Sequence, residues 1–304
     1  MDNPSEKHNE NAETEPLETN PLPEEETAQG IITTGVIKTG TGEINIEPSL
    51  RFAKRCHPGA VRERNEDSCF IFVSETGGGS LLTPFGLFIV ADGMGGHEHG
   101  NVASKIASRV AAQHILTKIY LPMLHDGGRP NAPIQEVLEE AVQIANTAVY
   151  ENDLESDSGT TLTAALILGR RLFVAHVGDS SLFLQTEEGM EKVTHDHSLV
   201  QQLQDVGHEA DEITLMRYGH ILIRAVGQAE EVDVDTYTRA LPKKGHILIC
   251  SDGLSGRGMV PAEDIKTILS RNISEQEMAD LLFNEAMDAG GYDNITAIVV
   301  SFDL

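Results

Sequence analysis

One stretch limits what this chain can fold into more than any other: Leu87-Phe88-Ile89-Val90-Ala91-Asp92-Gly93-Met94-Gly95-Gly96-His97. Its first half is apolar at consecutive positions, so as a strand it must be covered on both faces. The strand then ends in an Asp-Gly, which carries a carboxylate to the edge of a core on a rigid element. Gly93, Gly95 and Gly96 let the backbone turn sharply and bring main-chain carbonyls close to whatever Asp92 binds.

The pattern recurs. Leu172 to Val177 runs into Gly178-Asp179-Ser180, and His246 to Cys250 runs into Ser251-Asp252-Gly253. Near the C-terminus the order reverses, with Tyr292-Asp293-Asn294 ahead of Ile295 to Val300. An Asp after one strand and an Asp before another share an edge only if the strands run antiparallel. The sequence therefore predicts antiparallel sheet with several carboxylates at one rim. Gathered carboxylates repel, and a cation relieves the repulsion. Oxygen ligands without paired Cys or His point to Mg2+ or Mn2+ rather than zinc. The bland alternative is that each Asp only caps its own turn.

The chain has 304 residues, is 40% hydrophobic and carries a formal net charge of −26. That charge argues against a nucleic-acid or anionic-membrane partner bound through a basic face. The three cysteines, Cys56, Cys69 and Cys250, are too few and scattered for a disulfide framework. They are expected as buried free thiols in a reducing compartment. The first residues lack a secretory pattern and no apolar run reaches the length of a membrane span, so a soluble, cytoplasmic protein is expected, as a monomer.

Residues 1–48 are expected to form a disordered acidic tail; Met1 to Gly30, rich in Glu, Asn, Pro and Thr, cannot bury enough apolar surface. Its threonines among glutamates read as solvated linker ahead of kinase sites. Residues 49–304 read as one domain. Strands are expected around Arg51–Cys56, Cys69–Val73, Leu162–Leu168, Leu172–Val177, Ser181–Gln185, Ile221–Val226 and Val232–Thr238. Two helices with one apolar stripe each are expected over about Asn101–Tyr120 and Ala132–Asn152. Shorter helices are expected over Leu199–Val206 and Pro261–Arg271, and Ser274-Glu275-Gln276-Glu277 is a capping box for a last one. This order predicts an α+β domain, an antiparallel β-sandwich flanked by helices on both faces.

Eight stretches together resemble one family in its own order. They are Gly59-Ala60-Val61-Arg62 with Asn65-Glu66-Asp67; Val90 to His97; Ser158-Gly159-Thr160-Thr161; Gly178-Asp179-Ser180; Asp196-His197-Ser198-Leu199-Val200; Arg224-Ala225-Val226-Gly227; Ser251-Asp252-Gly253-Leu254; and Asp293-Asn294-Ile295-Thr296. The chain from Leu50 onward resembles the metal-dependent protein phosphatases, the type 2C serine/threonine phosphatase family, and specifically its bacterial-type members. The resemblance implies hydrolysis of phosphoserine and phosphothreonine in phosphorylated proteins, opposing a Ser/Thr kinase, by water activated at two Mg2+ or Mn2+ ions. It implies that Asp92 bridges the ions and that Asp252 and Asp293 hold the first. The second would be held by Asp67 or Glu66 with the Gly93 carbonyl, and Asp179 would contribute to a third, weaker site. Arg62 matches the arginine that grips the substrate phosphate, and His208 to Tyr218 matches a flap beside the site.

Elementary chemistry agrees with these roles. Two hard cations roughly 3.5–4 Å apart acidify a shared water and offset charge on phosphoryl oxygens. A guanidinium fork suits two phosphate oxygens. The leaving alkoxide needs a proton, for which His97 is the candidate acid and water the competitor. His57, His99, His195 and His197 are expected to pack or hydrogen-bond, with His197 fixing a turn. The chain departs from the family at Ser181, where arginine is usual, and over Met216 to Ile223, which lacks the usual histidine and asparagine. Two other readings compete: a non-catalytic phosphatase-fold adaptor, which loss of the ligand carboxylates would favour, and a metal-dependent nuclease, which the acidic surface opposes.

Overall fold

The computed structural model describes residues 26–32, 49–76, 83–95, 99–125, 129–130, 132–152, 158–208, 218, 221–256 and 258–304. Two antiparallel sheets pack face to face. The first has the order β1 (Glu26–Ile32), β2 (Ser49–His57), β12 (Ile295–Asp303), β11 (Lys244–Cys250), β8 (Ser181–Thr186) and β9 (Gly189–Lys192). The second runs β10 (Asp235–Ala240), β7 (Arg171–Val177), β6 (Leu162–Leu168), β4 (Thr83–Met94) and β3 (Asp67–Thr76), with β5 (Gly159–Thr160) paired to the end of β4.

The period of two along the central strands explains the layering. In β4, Phe88 and Val90 enter the core between the sheets, while Leu87 and Ile89 face the other way. That outer face is covered by α1 (His99–Ile115) and α3 (Ile134–Tyr150), whose Ala103, Ala107, Ala111, Leu138 and Ala141 are buried against it. Between them lie a π-helical turn, Leu116–Tyr120, and the short α2 (Leu121–Met123). In β12, Ile298 and Val300 point inward and Ala297 and Val299 outward. The outward pair packs with α6 (Ala262–Leu269) and α7 (Glu275–Asp288) through Ile265, Ile268, Met278 and Leu282. The result is the expected α-β-β-α arrangement. The Ser274–Glu277 capping box forms, with Glu277 N donating to Ser274 Oγ at 3.2 Å. α4 (Leu199–Asp205) is capped by Ser198, and a single turn, α5 (Asp252–Ser255), follows β11.

Two local expectations give way. Residues 1–48 lie outside the described residues except for Glu26–Ile32, and these form a strand, paired from Glu26↔Cys56 to Ile32↔Leu50. Open hydrogen-bonding groups along β2 accept such a strand whatever its composition. Ile221–Val226 is not a strand. Its backbone pairs only through isolated bridges, Ser198↔Leu222 and Thr160↔Val226, rather than along a sheet.

Phe88 is fully buried between the sheets and makes an edge-to-face contact with Phe52, ring centroids 6.3 Å apart. Replacing it (Phe88→Ala) is expected to cost about 3–5 kcal/mol, read as a shift of the denaturant midpoint. An unshifted midpoint would contradict the packing of the two sheets.

Candidate metal centre and active site

The antiparallel register brings the strand-end acids together. Asp67 opens β3 and Asp92 lies near the end of β4, and the two are direct cross-strand partners. Asp179 follows β7, Asp252 follows β11, and Asp293 stands two residues ahead of β12. A cleft of about 400 Å³ opens at this rim. Arg62, Glu66, Asp92, Gly93, Asp179, Asp252 and Asp293 line it, with Met94, Gly95, Thr161 and Leu222. A larger cavity of about 760 Å³ lies at the other end of β8 and β11, by Thr186 and Lys244. Its Arg239 and Glu191 are already paired at 2.6 Å, and none of the candidate residues reaches it.

Neutral side chains fix the acids. Thr161 N and Thr160 Oγ1 donate to the Asp92 carbonyl at 2.8 and 2.9 Å, and Asp92 N donates back to Thr161 Oγ1 at 2.9 Å. Asn294 joins three segments. Its Nδ2 donates to Pro58 O and Arg64 O, its Oδ1 accepts from Glu66 N at 2.7 Å, and its own N donates to Asp293 Oδ1 at 2.8 Å. Gly93 is required sterically. A Cβ there would collide with the carbonyls of Glu66 and Gly100, the latter in the first turn of α1.

The structure separates Glu66 from Asp67. Glu66 lines the cleft, whereas Asp67 lies beneath it, 5% exposed, with Ser251 Oγ donating to its Oδ2 at 2.8 Å and its Oδ1 without a hydrogen-bond partner. Burial first, then Cys56, pushes Asp67 up to about 8. Burial, then Asp67, Asp252, Asp179 and Asp293, pushes Asp92 well above the carboxylate range. Asp252 is raised by burial and by Asp293, while a hydrogen bond with Asp92 opposes the rise. Burial and Asp252 likewise raise Asp179.

This electrostatic pattern fits hard divalent cations. Two carboxylates in hydrogen-bonding reach must share a proton or a cation, and the cationic side chain on the cleft, Arg62, is bound to Asp293 at 2.7 Å. Among the described residues no three His, Cys, Asp or Glu side chains already close around one ion. Ions of the Mg2+ type need only one or two carboxylates and complete their shell with water, so the pairwise spacing of acids suits them.

His97 lies outside the described residues, as do 209–217 of the flap segment. His57 accepts from Gly59 N through Nδ1 and meets Phe283 edge to face, and His195 pairs with Asp205 at 2.8 Å. His197 does more than hold a turn. Its Nδ1 accepts from Gly178 N, beside Asp179, and its carbonyl accepts from Ile223 N, beside Leu222. Its Nε2 faces Asp235 Oδ2 at 3.3 Å, and Arg224 Nη1 reaches Asp235 Oδ1 at 3.0 Å. Thr161, Asn294 and His197 thus position the site. Their motifs stand out in the sequence, but polar neutral residues carry no sign of which distant group they bind.

Comparison with known proteins gives four concordant results. A profile described as "Protein phosphatase 2C" matches residues 60–285. The chain is 34% identical over 252 residues to the serine/threonine phosphatase stp of Listeria monocytogenes, covering 82% of this chain and 95% of that one. It is 34% identical over 256 residues to the serine/threonine protein phosphatase PstP of Mycobacterium tuberculosis, covering 82% of this chain and 44% of the relative. A solved PstP catalytic domain in complex with two manganese ions superposes with a TM-score of 0.66 at 32% identity, covering 84% of this chain and 99% of that one.

A carboxyl raised in the folded state favours its protonated form there. That stability is full below the unfolded value of 3.8 and is lost as pH rises towards the folded value, about 8 for Asp67. Chelated protein is therefore expected to lose thermal stability across this window, and Mn2+ to restore it most at the alkaline end. A melting temperature that ignores both pH and Mn2+ would contradict the clustering of these acids.

Proposed function

This chain belongs to the protein phosphatase 2C family, and we propose that it hydrolyses phosphoserine and phosphothreonine in phosphorylated proteins, opposing a serine/threonine kinase. One observation carries the reading: Asp92, Asp179, Asp252, Asp293 and Glu66, far apart in sequence, face a single cleft that also holds Arg62. An adaptor would have no use for five converging acids, and all are present.

In this reading Asp252 and Asp293 would hold one Mn2+ or Mg2+ and Glu66 with the Gly93 carbonyl a second, Asp92 serving both and Asp179 a weaker third. Such cations, when bound, make a water acidic enough to attack phosphorus and offset charge on the phosphoryl oxygens. The protein's own groups do the rest. Arg62 is about half exposed, so its fork can leave Asp293 and take two phosphate oxygens. Thr161 and Asn294 hold the acids in place, so that little reorganisation accompanies the reaction. Asp67, under the cleft, supports the Ser251–Asp252 turn through Ser251 Oγ. His97 is the proposed proton donor to the leaving alkoxide, with water as its competitor.

Residues 49–304 would form the catalytic domain, with 1–48 as an acidic appendage. No helix among the described residues is long and apolar enough to cross a membrane, and Cys56, Cys69 and Cys250 form no disulfide. Reduced thiols of this kind suit the cytoplasm.

Hydrolysis of p-nitrophenyl phosphate is expected to require Mn2+ or Mg2+ and to vanish in Asp252→Asn. Arg62→Ala should raise KM for a phosphopeptide by about 10- to 100-fold, the loss of a charge-assisted pair, with Mn2+ affinity unchanged by calorimetry. Turnover without added metal, or loss of metal binding on removing Arg62, would sink these assignments.

A further inference from the structure

Two loops meet at the mouth of the cleft in a short ladder. Ala60 N donates to the Gly291 carbonyl at 2.8 Å, and Arg62 Nη2 donates to Asp293 Oδ2 at 2.7 Å. Val61 and Tyr292 lie between these two bonds, one on each loop, and each is 62% exposed. The Tyr292 ring rests against Gly290, whose φ of +123° and lack of a Cβ leave room for it.

Single exposed apolar residues need no explanation, but large ones gathered around a functional cleft mark a contact surface. What covers this surface follows from its continuity with Arg62. A phosphate held by Arg62 brings the flanking residues of its peptide onto the positions next to Arg62 and Asp293, which are Val61 and Tyr292. In an extended peptide, residues advance about 3.3 Å each, so the reach is one or two residues. Charge narrows the choice further. Glu63 and Glu66 flank Arg62, and the whole chain carries −26, so acidic flanks are repelled.

We propose that Val61 and Tyr292 select phosphopeptides that carry a large apolar side chain within two residues of the phosphoserine or phosphothreonine and no acid there. This rests on the phosphatase reading above and names its substrate class.

The test compares three phosphothreonine peptides differing only at the residues adjacent to the phosphate, with leucine, serine or aspartate there. The wild-type protein with Mn2+ is expected to show a kcat/KM about tenfold higher for the leucine peptide than for the serine one, matching partial burial of one leucine side chain. The aspartate peptide should be the poorest. The double variant Val61→Ser/Tyr292→Ser should lose the leucine preference through KM, while Tyr292→Phe keeps it. Hydrolysis of p-nitrophenyl phosphate, which has no flanking residues, should be unchanged in both variants. Equal turnover of the leucine and serine peptides, or a preference that survives the double variant, overturns the selection. Absent turnover of p-nitrophenyl phosphate by the wild type would instead overturn the phosphatase reading beneath it.

Discussion

Repulsion among clustered, largely half-buried carboxylates governs this molecule. Five acids face one cleft and a sixth, Asp67, lies under it, with Arg62 bound to Asp293 as the cation among them. Two unit charges 4 Å apart interact by about 4 kcal/mol at an effective dielectric of 20, and Asp92 is acted on by Asp67, Asp252, Asp179 and Asp293 together. A chain left to itself would splay these groups into water. Here they cannot separate, because each sits within a few residues of a strand packed into the sandwich. The hydrophobic core thus holds charge where charge is unfavourable, and a divalent cation becomes the natural complement.

The holding is geometric before it is chemical. Antiparallel pairing places the end of one strand beside the start of the next, so acids at or just past the ends of β4, β7 and β11 meet those that begin β3 or precede β12. The loops between are then tied by neutral hydrogen bonds. Asn294 joins Pro58, Arg64 and Glu66 to the Asp293 turn, and Thr160 and Thr161 clamp Asp92. On the far side His197 ties Gly178 through its imidazole and Ile223 through its backbone carbonyl, so the turn that carries Asp179 and the segment that carries Leu222 answer to the same residue. Neutral ties suit this place, since a further charge would add to the repulsion or bind an acid outright.

The mouth divides its labour by polarity. Charge lines the floor, where phosphate and cations are proposed to bind, whereas the exposed Val61 and Tyr292 are proposed to meet the chain that carries the phosphate. Because Val61 adjoins Arg62 and Tyr292 adjoins Asp293, the two functions share the same loops.

By itself, the sequence determined what depends on near neighbours. Runs such as Leu87–Ala91 announced strands buried on both faces, the alanine-rich stripe announced α1, and Ser274 with Glu277 announced a cap. The recurring strand-end Asp, with the family motifs, was enough to collect the acids at one rim. Tertiary structure alone decided what depends on partners distant in the chain. It put Glu66 at the cleft and Asp67 beneath it, a choice that turns on the Asn294 and Ser251 contacts more than two hundred and nearly two hundred residues away. It laid Glu26–Ile32 along β2, made Ile221–Val226 a bridged segment rather than a strand, and gave His197 its partners. Periodicity reports which side of an element is buried, but a hydrogen bond across the sandwich leaves no period to read.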